Sequence, residues 1–371
     1  MRRNSPNTLT ERAVPPKADE VEVSIFGPGK GESICVHTGG GQWIIVDSCV
    51  DQRSHEIPVL SYLRSLGVDV SKDVSLVVGT HAHDDHIAGL SRVIEACSEA
   101  VFVCSAALTH EEYLRHVRDD AAFDARQSIR SEYRAIFEQI KKRPRAKRPY
   151  AVKYALAELP ISASPESGDG PSSSVVALSP SHESVSRAIE KFTLSVVKPG
   201  DGRRPGRVDP NELAVVLFVV VGDIAVLLGA DLERGPTGCG WQAILELGTF
   251  TAEPLASLFK IPHHGSLNAY HEDVWTQLLV QKPTSVLTPF RPSTLPRPEG
   301  IQRLKELSEA VYCSANPNPP NPSAAVKKTR AALRDLALDV RSWGVVGQVR
   351  ARRMVGGAKW EVDLFHPALK L

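Results

Sequence analysis

Short apolar runs separated by glycine-rich turns open the chain. Between residues 20 and 47, the runs VEVSIFG, SICVHT and QWIIVDS are rich in β-branched residues, which predicts three strands. Residues 57–66 have helical spacing, and VSLVVGT at 74–80 is a continuous apolar run typical of a strand buried on both faces. A helix is predicted at about 87–96 and a strand at 101–103. This alternation of strands and helices predicts a layered α/β architecture.

The middle of the chain has a different pattern of polar and apolar residues. Residues 109–142 form a polar, amphipathic stretch that predicts a long helix, and the Ser/Pro/Gly-rich segment at 161–174 predicts an exposed loop. We therefore expect one domain over residues 20–371 that carries a helical and basic insertion at about 105–170. A disordered lead-in is expected at 1–19.

Strands are predicted again from residue 175 onward. LAVVLFVVV and IAVLLGAD predict a hairpin that turns at Gly222 and Asp223. A helix near 241–247, the strands SLFKIP and TSVLTP, and a helix at about 324–336 follow along the chain. The two halves have a similar strand-rich texture, although no internal repeat is visible.

The composition fits a folded chain. The 371 residues include 44 Lys and Arg against 43 Asp and Glu, which gives a formal charge of +1. This balance argues against a wholly disordered chain and against nucleic-acid binding over the whole surface, and it leaves a local basic patch open. No apolar run approaches about 18 residues, so we expect no membrane span. The six cysteines form no C-x-x-C pair, which indicates a reducing, cytoplasmic location.

The segment VVGTHAHDDHIAGL at 77–90 carries the clearest chemical signal. A buried strand runs directly into His81, His83, Asp85 and His86, and layered α/β folds place their sites at such strand ends. Imidazole and carboxylate groups are suitable ligands for Zn²⁺, Mn²⁺ or Fe²⁺. The alternative is a polar surface loop that contains three histidines. The abrupt change from apolar run to ligand cluster favours a metal site.

The same segment resembles a known family, because T-H-A-H-D-D-H matches the H-x-H-x-D-H signature of the metallo-β-lactamase superfamily. Asp47 at the end of WIIVD, Asp231 at the end of IAVLLGAD, and the motif PHHGS at 262–266 resemble further family motifs in the same order. The PHHGS form and the Asn211 segment look most like the ComEC-type branch, the soluble domain of a competence DNA-uptake channel. The resemblance implies a four-layer αββα sandwich.

The resemblance also implies a dinuclear centre of Zn or Mn, with Fe as a further option. One metal ion would be held by His81 and His83. The second would be held by Asp85, His86 and His263, and Asp231 would bridge the two ions.

Two residues near these motifs have alternative roles. Asp47 would fix the tautomer of a ligand histidine, or would only cap its strand. His182 stands near the place where many members carry another ligand, and is an additional ligand or a plain loop residue. We favour the loop interpretation for His182, which would leave the first metal site weak or completed by water.

Asp85 and His264 are the predicted catalytic residues. His264 would orient substrate or act as a general acid, or would support its neighbour, and which of His263 and His264 binds metal stays open, with His263 favoured. Ser266 would shape the turn or touch a phosphate, and Asn211 would hydrogen-bond the same turn or simply form a turn of its own.

A basic run follows the predicted helix and gives the main indication of nucleic acid. Lys141, Lys142 and Arg143 begin KKRPRAKR, and Arg203 and Arg204 lie in a later loop. If both loops overhang the metal cleft, they form a positive funnel for an anionic substrate. The alternative is a solvated linker between the helix and the core.

These observations favour a metal-dependent phosphodiesterase or nuclease that acts on DNA, RNA or a nucleotide through a metal-bridging hydroxide. One alternative is a small-molecule hydrolase that cleaves a lactone, thioester or β-lactam, because the fold supports such reactions as well. Another is an effector hydrolase gated by a protein partner through the 105–170 insertion, with defence against foreign DNA as a setting.

Overall fold

Two large sheets and the helices that cover them form the part of the protein that the computed structural model describes. That part comprises residues 13–29, 31–109, 125–144, 146, 151–166, 170–196, 209–246, 250–318 and 345–371. Its strands, β1 to β16 in chain order, are Glu20–Gly27, Ser33–His37, Trp43–Val46, Val74–Gly79, Val101–Ser105, Val152–Ala155, Leu159–Ser164, Ser173–Ala177, Leu217–Val221, Ile224–Leu228, Ala256–Lys260, Leu279–Leu287, Ala310–Cys313, Gly347–Met354, Glu361–Phe365 and Leu369–Lys370. Its helices, α1 to α8, are Pro58–Ser65, Asp84–Ile87, Leu90–Ala96, Ala125–Lys142, His182–Val196, Gly240–Glu246, Glu272–Gln277 and Pro298–Leu307.

Each sheet has eight strands, and the two sheets repeat one topology. The first has the order β15-β14-β1-β2-β3-β4-β5-β6, and the second has the order β16-β13-β12-β11-β10-β9-β8-β7. In the first sheet β1, β2 and β3 pair antiparallel, and β3 to β6 pair parallel. In the second sheet β8, β9 and β10 pair antiparallel, and β10 to β13 pair parallel. The strands β1–β6 therefore correspond to β8–β13, which accounts for the similar texture of the two halves.

Three layers of apolar side chains hold the sandwich together, and β4 shows why a central strand is apolar on both faces, apart from its exposed Ser75. Leu76 and Val78 pack between the two sheets, whereas Val77 packs beneath the helices of the first half. Successive side chains of a strand point to opposite faces, so a strand covered on both faces needs apolar residues at every position. A third layer lies between the second sheet and its helices. The fold is therefore an αββα sandwich, as the sequence predicted.

Several predicted elements are confirmed. The strand β4 and the hairpin of β9 and β10, which turns at Gly222 and Asp223, are present. The helix predicted at 109–142 is observed as α4, and residues 110–124 lie outside the described part. The helix predicted at 324–336 and residues 1–12 of the lead-in also lie outside it.

The exposed loop predicted at 161–174 is shorter than expected, because both of its ends belong to strands. Residues 159–164 and 173–177 form the antiparallel strands β7 and β8 of the second sheet, and β6 pairs with β5 in the first. The span expected to be an insertion, 105–170, therefore contains core strands. The loop prediction extended too far because β7 is the edge strand, where polar residues are tolerated, and the serines that begin β8 are only partly buried.

Two general features concern the whole described chain. All six cysteines are buried free thiols. Within the described ranges, no helix has the length and apolar character needed to cross a membrane.

Candidate metal centre

Polar side chains from both halves meet at one edge of the sandwich. Asp47 follows β3 and His81 to His86 follow β4, while Asp231 follows β10 and His264 follows β11. Because β3 corresponds to β10 and β4 to β11, the two halves contribute from equivalent places. The carboxyl ends of parallel strands meet at the same edge, which brings these distant segments of the chain together.

Four of these residues form a compact donor set. One ligand atom from each of Asp85, His86, Asp231 and His264 lies within 4.8 Å of all the others, and all four residues are buried. Nε2 of His86 is 3.3 Å from Oδ1 of Asp231. Nε2 of His264 is 3.4 Å from Oδ2 of Asp231 and 3.3 Å from Oδ2 of Asp85. Two imidazoles and two carboxylates therefore converge on one point.

The donor atoms of this set fit a divalent ion. Nε2 of His86, Nε2 of His264 and Oδ1 of Asp231 are buried, and none makes a hydrogen bond within the described residues. Buried polar atoms normally have a hydrogen-bond partner, since a buried atom that lacks one costs about 1–3 kcal/mol of stability. Nitrogen and oxygen donors of this kind suit Zn²⁺, Mn²⁺ and Fe²⁺. A metal ion would satisfy all three atoms at once.

Hydrogen bonds behind the set aim His86 at the centre. Its Nδ1–H donates to Oδ2 of Asp47 at 2.7 Å, which leaves Nε2 without a proton in the neutral tautomer. Asp47 is itself held, because it accepts from the backbone N–H and from the hydroxyl of Thr80, both at 2.8 Å. The carboxylate therefore orients the His86 ring toward the donor set.

His264 is oriented in the same way by the second half. Its Nδ1 lies 3.1 Å from both the carbonyl oxygen and the hydroxyl of Thr288, which follows β12. The ring also stacks on Phe290, with centroids 5.1 Å apart and an interplanar angle of 20°. Nε2 of His264 is thus directed at Asp85 and Asp231.

Charges inside the cluster support one another. Burial alone would lower the pKa of His86, but the carboxylates of Asp231, Asp47 and Asp85 raise it well above its ordinary value. Burial opposes the same effect at His264, whose pKa is raised to about 10, chiefly by Asp231. The pKa of Asp231 is held well below its ordinary range by His86 and His264, against the effect of burial. In the metal-free protein both imidazoles are therefore doubly protonated, and a metal ion would displace the proton on each Nε2.

His81 and His83 lie beside this set but belong to neither of the donor clusters found among the described residues. Nε2 of His81 is 3.1 Å from Nδ1 of His83, and Nδ1 of His81 is 2.9 Å from the Thr80 hydroxyl. Burial and the neighbouring His86 keep the pKa of His81 well below its ordinary value, so its ring stays neutral. Neutral imidazole is the form that binds metal. His83 is partly exposed, and its Nε2 lies 3.9 Å from Asp209.

The two neighbouring histidines of the PHHGS turn point to different places. His263 and His264 both adopt left-handed backbone angles, with φ of 46° and 53°. Nδ1 of His263 lies 3.3 Å from Glu233 and 3.1 Å from Oδ1 of Asn268, outside the four-residue set. Its Nε2 faces the Asn211 amide at 3.4 Å. The geometry therefore places His264 where the sequence interpretation favoured His263.

Lys260 and Glu32 are buried charges that the sequence interpretation missed. Lys260 ends β11, and its ammonium forms an ion pair with Glu32 and lies 3.7 Å from Oδ1 of Asp231. Glu32, Asp47 and His86 form a second donor cluster, but the Lys260 ammonium already supplies the cation beside Glu32. A lysine inside the apolar strand SLFKIP was the signal that could have revealed this pair.

The start of the basic run lies at the opposite edge of the sandwich. Arg143 is largely buried, and its guanidinium donates to the carbonyls of Ala100 at 2.6 Å and Cys97 at 3.4 Å. Ala100 precedes β5, whose first residue pairs with Leu76, so Arg143 is near the amino end of β4. At about 3.3 Å per residue, Leu76 is roughly 16 Å along the chain from His81. Arg143 therefore faces away from the donor set, while the conditional funnel stays a prediction, because Arg203 and Arg204 lie outside the described residues.

Other predicted site residues are placed less centrally. His182 is the exposed first residue of α5 and lies outside both donor clusters. The backbone N–H of Ser266 donates to the His263 carbonyl at 2.9 Å, so Ser266 shapes the turn. Arg203 and Arg204 lie outside the described residues.

Comparison with known proteins agrees with this architecture. Residues 27–185 match the family model described as the metallo-beta-lactamase superfamily. The match shows that this part of the chain is similar to the metallo-β-lactamase superfamily. The matched segment runs from the end of β1 into α5 and includes the motif after β4. No curated protein sequence gives a significant match.

Among solved structures, the metallo-β-lactamase fold protein YhfI from Bacillus subtilis is 13% identical, covering 79% of this chain and 95% of its own, with a TM-score of 0.36. A mutant of the CmlA beta-hydroxylase is 13% identical with a TM-score of 0.36, and the match covers 91% of this chain but 55% of that one. The Zn²⁺-bound PqqB from Methylobacterium extorquens is 10% identical, covering 85% of this chain and 86% of its own, with a TM-score of 0.32. These similarities are too low to carry a conclusion about activity.

Proposed function

We propose that this protein is a metal-dependent hydrolase of phosphodiesters, with DNA, RNA or a nucleotide as substrate. The observation that carries the proposal is the buried donor set of Asp85, His86, Asp231 and His264, with its unpaired Nε2 atoms. A divalent ion bound there supplies Lewis acidity and an activated water at neutral pH. Zn²⁺ and Mn²⁺ are the proposed ions, with Fe²⁺ as a further option.

We propose two metal positions of unequal affinity. The four-residue set supplies the stronger position, and His264 takes the place in it that the sequence assigned to His263. His81 and His83 would hold a second ion with Asp231 as the bridge. Because no further donor completes this pair among the described residues, we expect the second ion to bind more weakly.

Neutral hydrogen-bond groups surround His263 next to the donor set. The side-chain amide of Asn211 lies 3.4 Å from Nε2 of His263, and Oδ1 of Asn268 lies 3.1 Å from its Nδ1. His263 is held among them by Glu233. The ComEC-type resemblance of the PHHGS motif favours a phosphodiester over a lactone or β-lactam.

Arg143, at the start of the basic run, lies far from the donor set, so phosphate recognition would fall to the metal ions and to the polar residues around His263. A protein partner at the segment between β5 and β6, a role in defence against foreign DNA and a cytoplasmic location stay predictions from the sequence.

A substrate panel tests the proposal. Purified protein with Mn²⁺ or Zn²⁺ is assayed on bis(p-nitrophenyl) phosphate, cyclic dinucleotides, single- and double-stranded DNA, and RNA. Nitrocefin and a lactone form the opposing arm, and Asp231→Asn is the inactive control. We expect metal-dependent cleavage in the phosphodiester arm that Asp231→Asn abolishes. Cleavage confined to nitrocefin or the lactone, or none at all, would refute the phosphodiesterase assignment.

A further inference from the structure

We infer that Lys260 is a positioning residue that locks the two metal-binding turns of the second half in place before the metal ion arrives. The inference rests on the metal centre proposed above. Its basis is a continuous chain of buried contacts that begins at Asp231, passes through the Lys260 ammonium and ends at His264.

The Lys260 ammonium is fully buried and has three oxygen partners. It donates to the carbonyl oxygen of Ala230 at 2.9 Å, forms an ion pair with Glu32, and lies 3.7 Å from Oδ1 of Asp231. A buried ammonium needs compensating partners, and these three supply them. The side chain is therefore fixed at a single point between the two sheets.

The bond to Ala230 controls the turn that carries Asp231. Ala230 adopts a left-handed φ of 45°, which is unfavourable for a residue with a Cβ. Its carbonyl accepts both the Lys260 ammonium and the backbone N–H of His263, the latter at 3.1 Å. These two bonds hold the strained turn and tie it directly to the turn that carries His264.

The ion pair with Glu32 extends the same control to His264. The other carboxylate oxygen of Glu32 accepts the Thr288 hydroxyl, and that hydroxyl lies 3.1 Å from Nδ1 of His264. Removing the ammonium leaves Glu32 as an unpaired buried carboxylate, with His86 Nδ1 at 4.0 Å and His264 Nδ1 at 3.9 Å. We expect Glu32 then to shift toward these rings and to disturb both ligands.

The direction in which metal affinity changes in Lys260→Met distinguishes a positioning role from simple electrostatics. A positive charge near Asp231 repels a divalent ion, so electrostatics alone predicts that Lys260→Met binds metal more tightly. A positioning role predicts weaker binding, because the Asp231 turn and the His264 ring lose their anchor.

The experiment measures Zn²⁺ and Mn²⁺ affinity of the full chain by competition with a chelating dye, and the melting temperature of the metal-free protein. The variants are Lys260→Met and the double variant Glu32→Gln with Lys260→Met, which removes the unpaired carboxylate. Lys153→Met is the matched control, because Lys153 also donates from a strand to a backbone carbonyl, that of Ile161 at 2.6 Å, away from the site.

We expect Lys260→Met to lose at least tenfold in affinity for both ions. The double variant should regain much of the melting temperature and keep the affinity loss, and Lys153→Met should bind metal as the wild type does. Unchanged or tighter metal binding by the double variant overturns the inference. This outcome decides the question even if the single variant fails to fold. Failure of the wild type to bind either ion would instead refute the metal centre itself.

Discussion

Asp47 and His86 form a buried hydrogen bond of 2.7 Å that joins the end of β3 to the motif after β4. The bond fixes the His86 ring so that its second nitrogen faces Asp231 at 3.3 Å. Asp47 does not belong to the four-residue donor set, yet it decides which nitrogen of His86 is available to a metal ion.

Replacing Asp47 should therefore weaken metal binding without removing a ligand. Loss of a carboxylate that orients a ligand histidine typically costs about 10–100-fold in metal affinity. We expect Asp47→Ala to lie in this range for Zn²⁺ in a chelator competition. Asp51→Ala, at an exposed turn beyond the same strand, is the control and should bind as the wild type does. Equal affinity for the two variants would contradict the proposed role of Asp47.

Metal binding should strengthen as the pH rises. His264 has a pKa of about 10 in the metal-free protein and that of His86 is raised, so an ion must displace their protons. Apparent affinity should rise about tenfold per pH unit for each displaced proton. Calorimetry in buffers of different ionisation enthalpy should count about two protons released. A metal affinity that does not change between pH 6 and 8, an interval below the pKa of about 10 of His264, would contradict this prediction.

The same shift gives the metal-free protein an opposite trend in stability. The folded-state pKa of His264 lies above the ordinary value of 6.5, so its stabilising charge is complete below that pH. The contribution is lost as the pH rises through about 10. Urea unfolding of chelator-treated protein should therefore show a free energy that falls from neutral to alkaline pH, and His264→Gln should reduce the slope. An equal slope in both proteins would count against the raised pKa.

Gly31 allows the turn before β2 to touch the backbone of the metal motif. A Cβ at this position would lie 2.3 Å from the carbonyl oxygen of Asp85, and the backbone φ is 109°. We expect Gly31→Ala to lower the free energy of unfolding by about 1–3 kcal/mol. It should also weaken metal binding, because Asp85 must move.

Gly41→Ala provides the comparison for Gly31. Gly41 also has a positive φ, of 78°, but open space surrounds its Cβ position. It should cost only the backbone strain of about 1–2 kcal/mol and leave metal affinity unchanged. Equal metal affinity in the Gly31 and Gly41 variants would show that the contact with Asp85 does not matter.

The start of the basic run should be irrelevant to hydrolysis. Lys141→Ala combined with Lys142→Ala should leave the cleavage rate of bis(p-nitrophenyl) phosphate unchanged, since α4 ends at the edge opposite the cluster. Arg143→Met should instead reduce stability by about 1–3 kcal/mol, because two backbone carbonyls lose their donor. A strongly reduced cleavage rate in the double lysine variant, with normal folding, would contradict this placement.

Local patterns in the sequence were enough to predict the strands that deliver the site. The apolar run of β4 and the aspartates after β3 and β10 predicted where polar groups would emerge, because strand ends in parallel sheets share an edge. The choice between His263 and His264 was not predictable. Both residues lie in a left-handed turn, and the turn's three-dimensional path decides which ring points inward.

The remaining errors arose from long-range placement. Lys260 and Glu32 are more than two hundred residues apart, so nothing local indicated that their charges would pair. The direction of α4 decides that Lys141 and Arg143 lie far from the cluster, and a charge pattern carries no such direction. The serines of β7 and β8 were assigned to a loop, because the edge strand β7 tolerates polar residues and the serines that begin β8 are only partly buried.

The metal content of three proteins tests the central claim most directly. Wild type, His264→Ala and His263→Ala are loaded with Zn²⁺, freed of excess ion by gel filtration, and measured by elemental analysis. We expect the wild type and His263→Ala to retain at least one ion per chain and His264→Ala to lose it. Full retention by His264→Ala together with loss by His263→Ala, or no retained metal in the wild type, would contradict the metal centre described here.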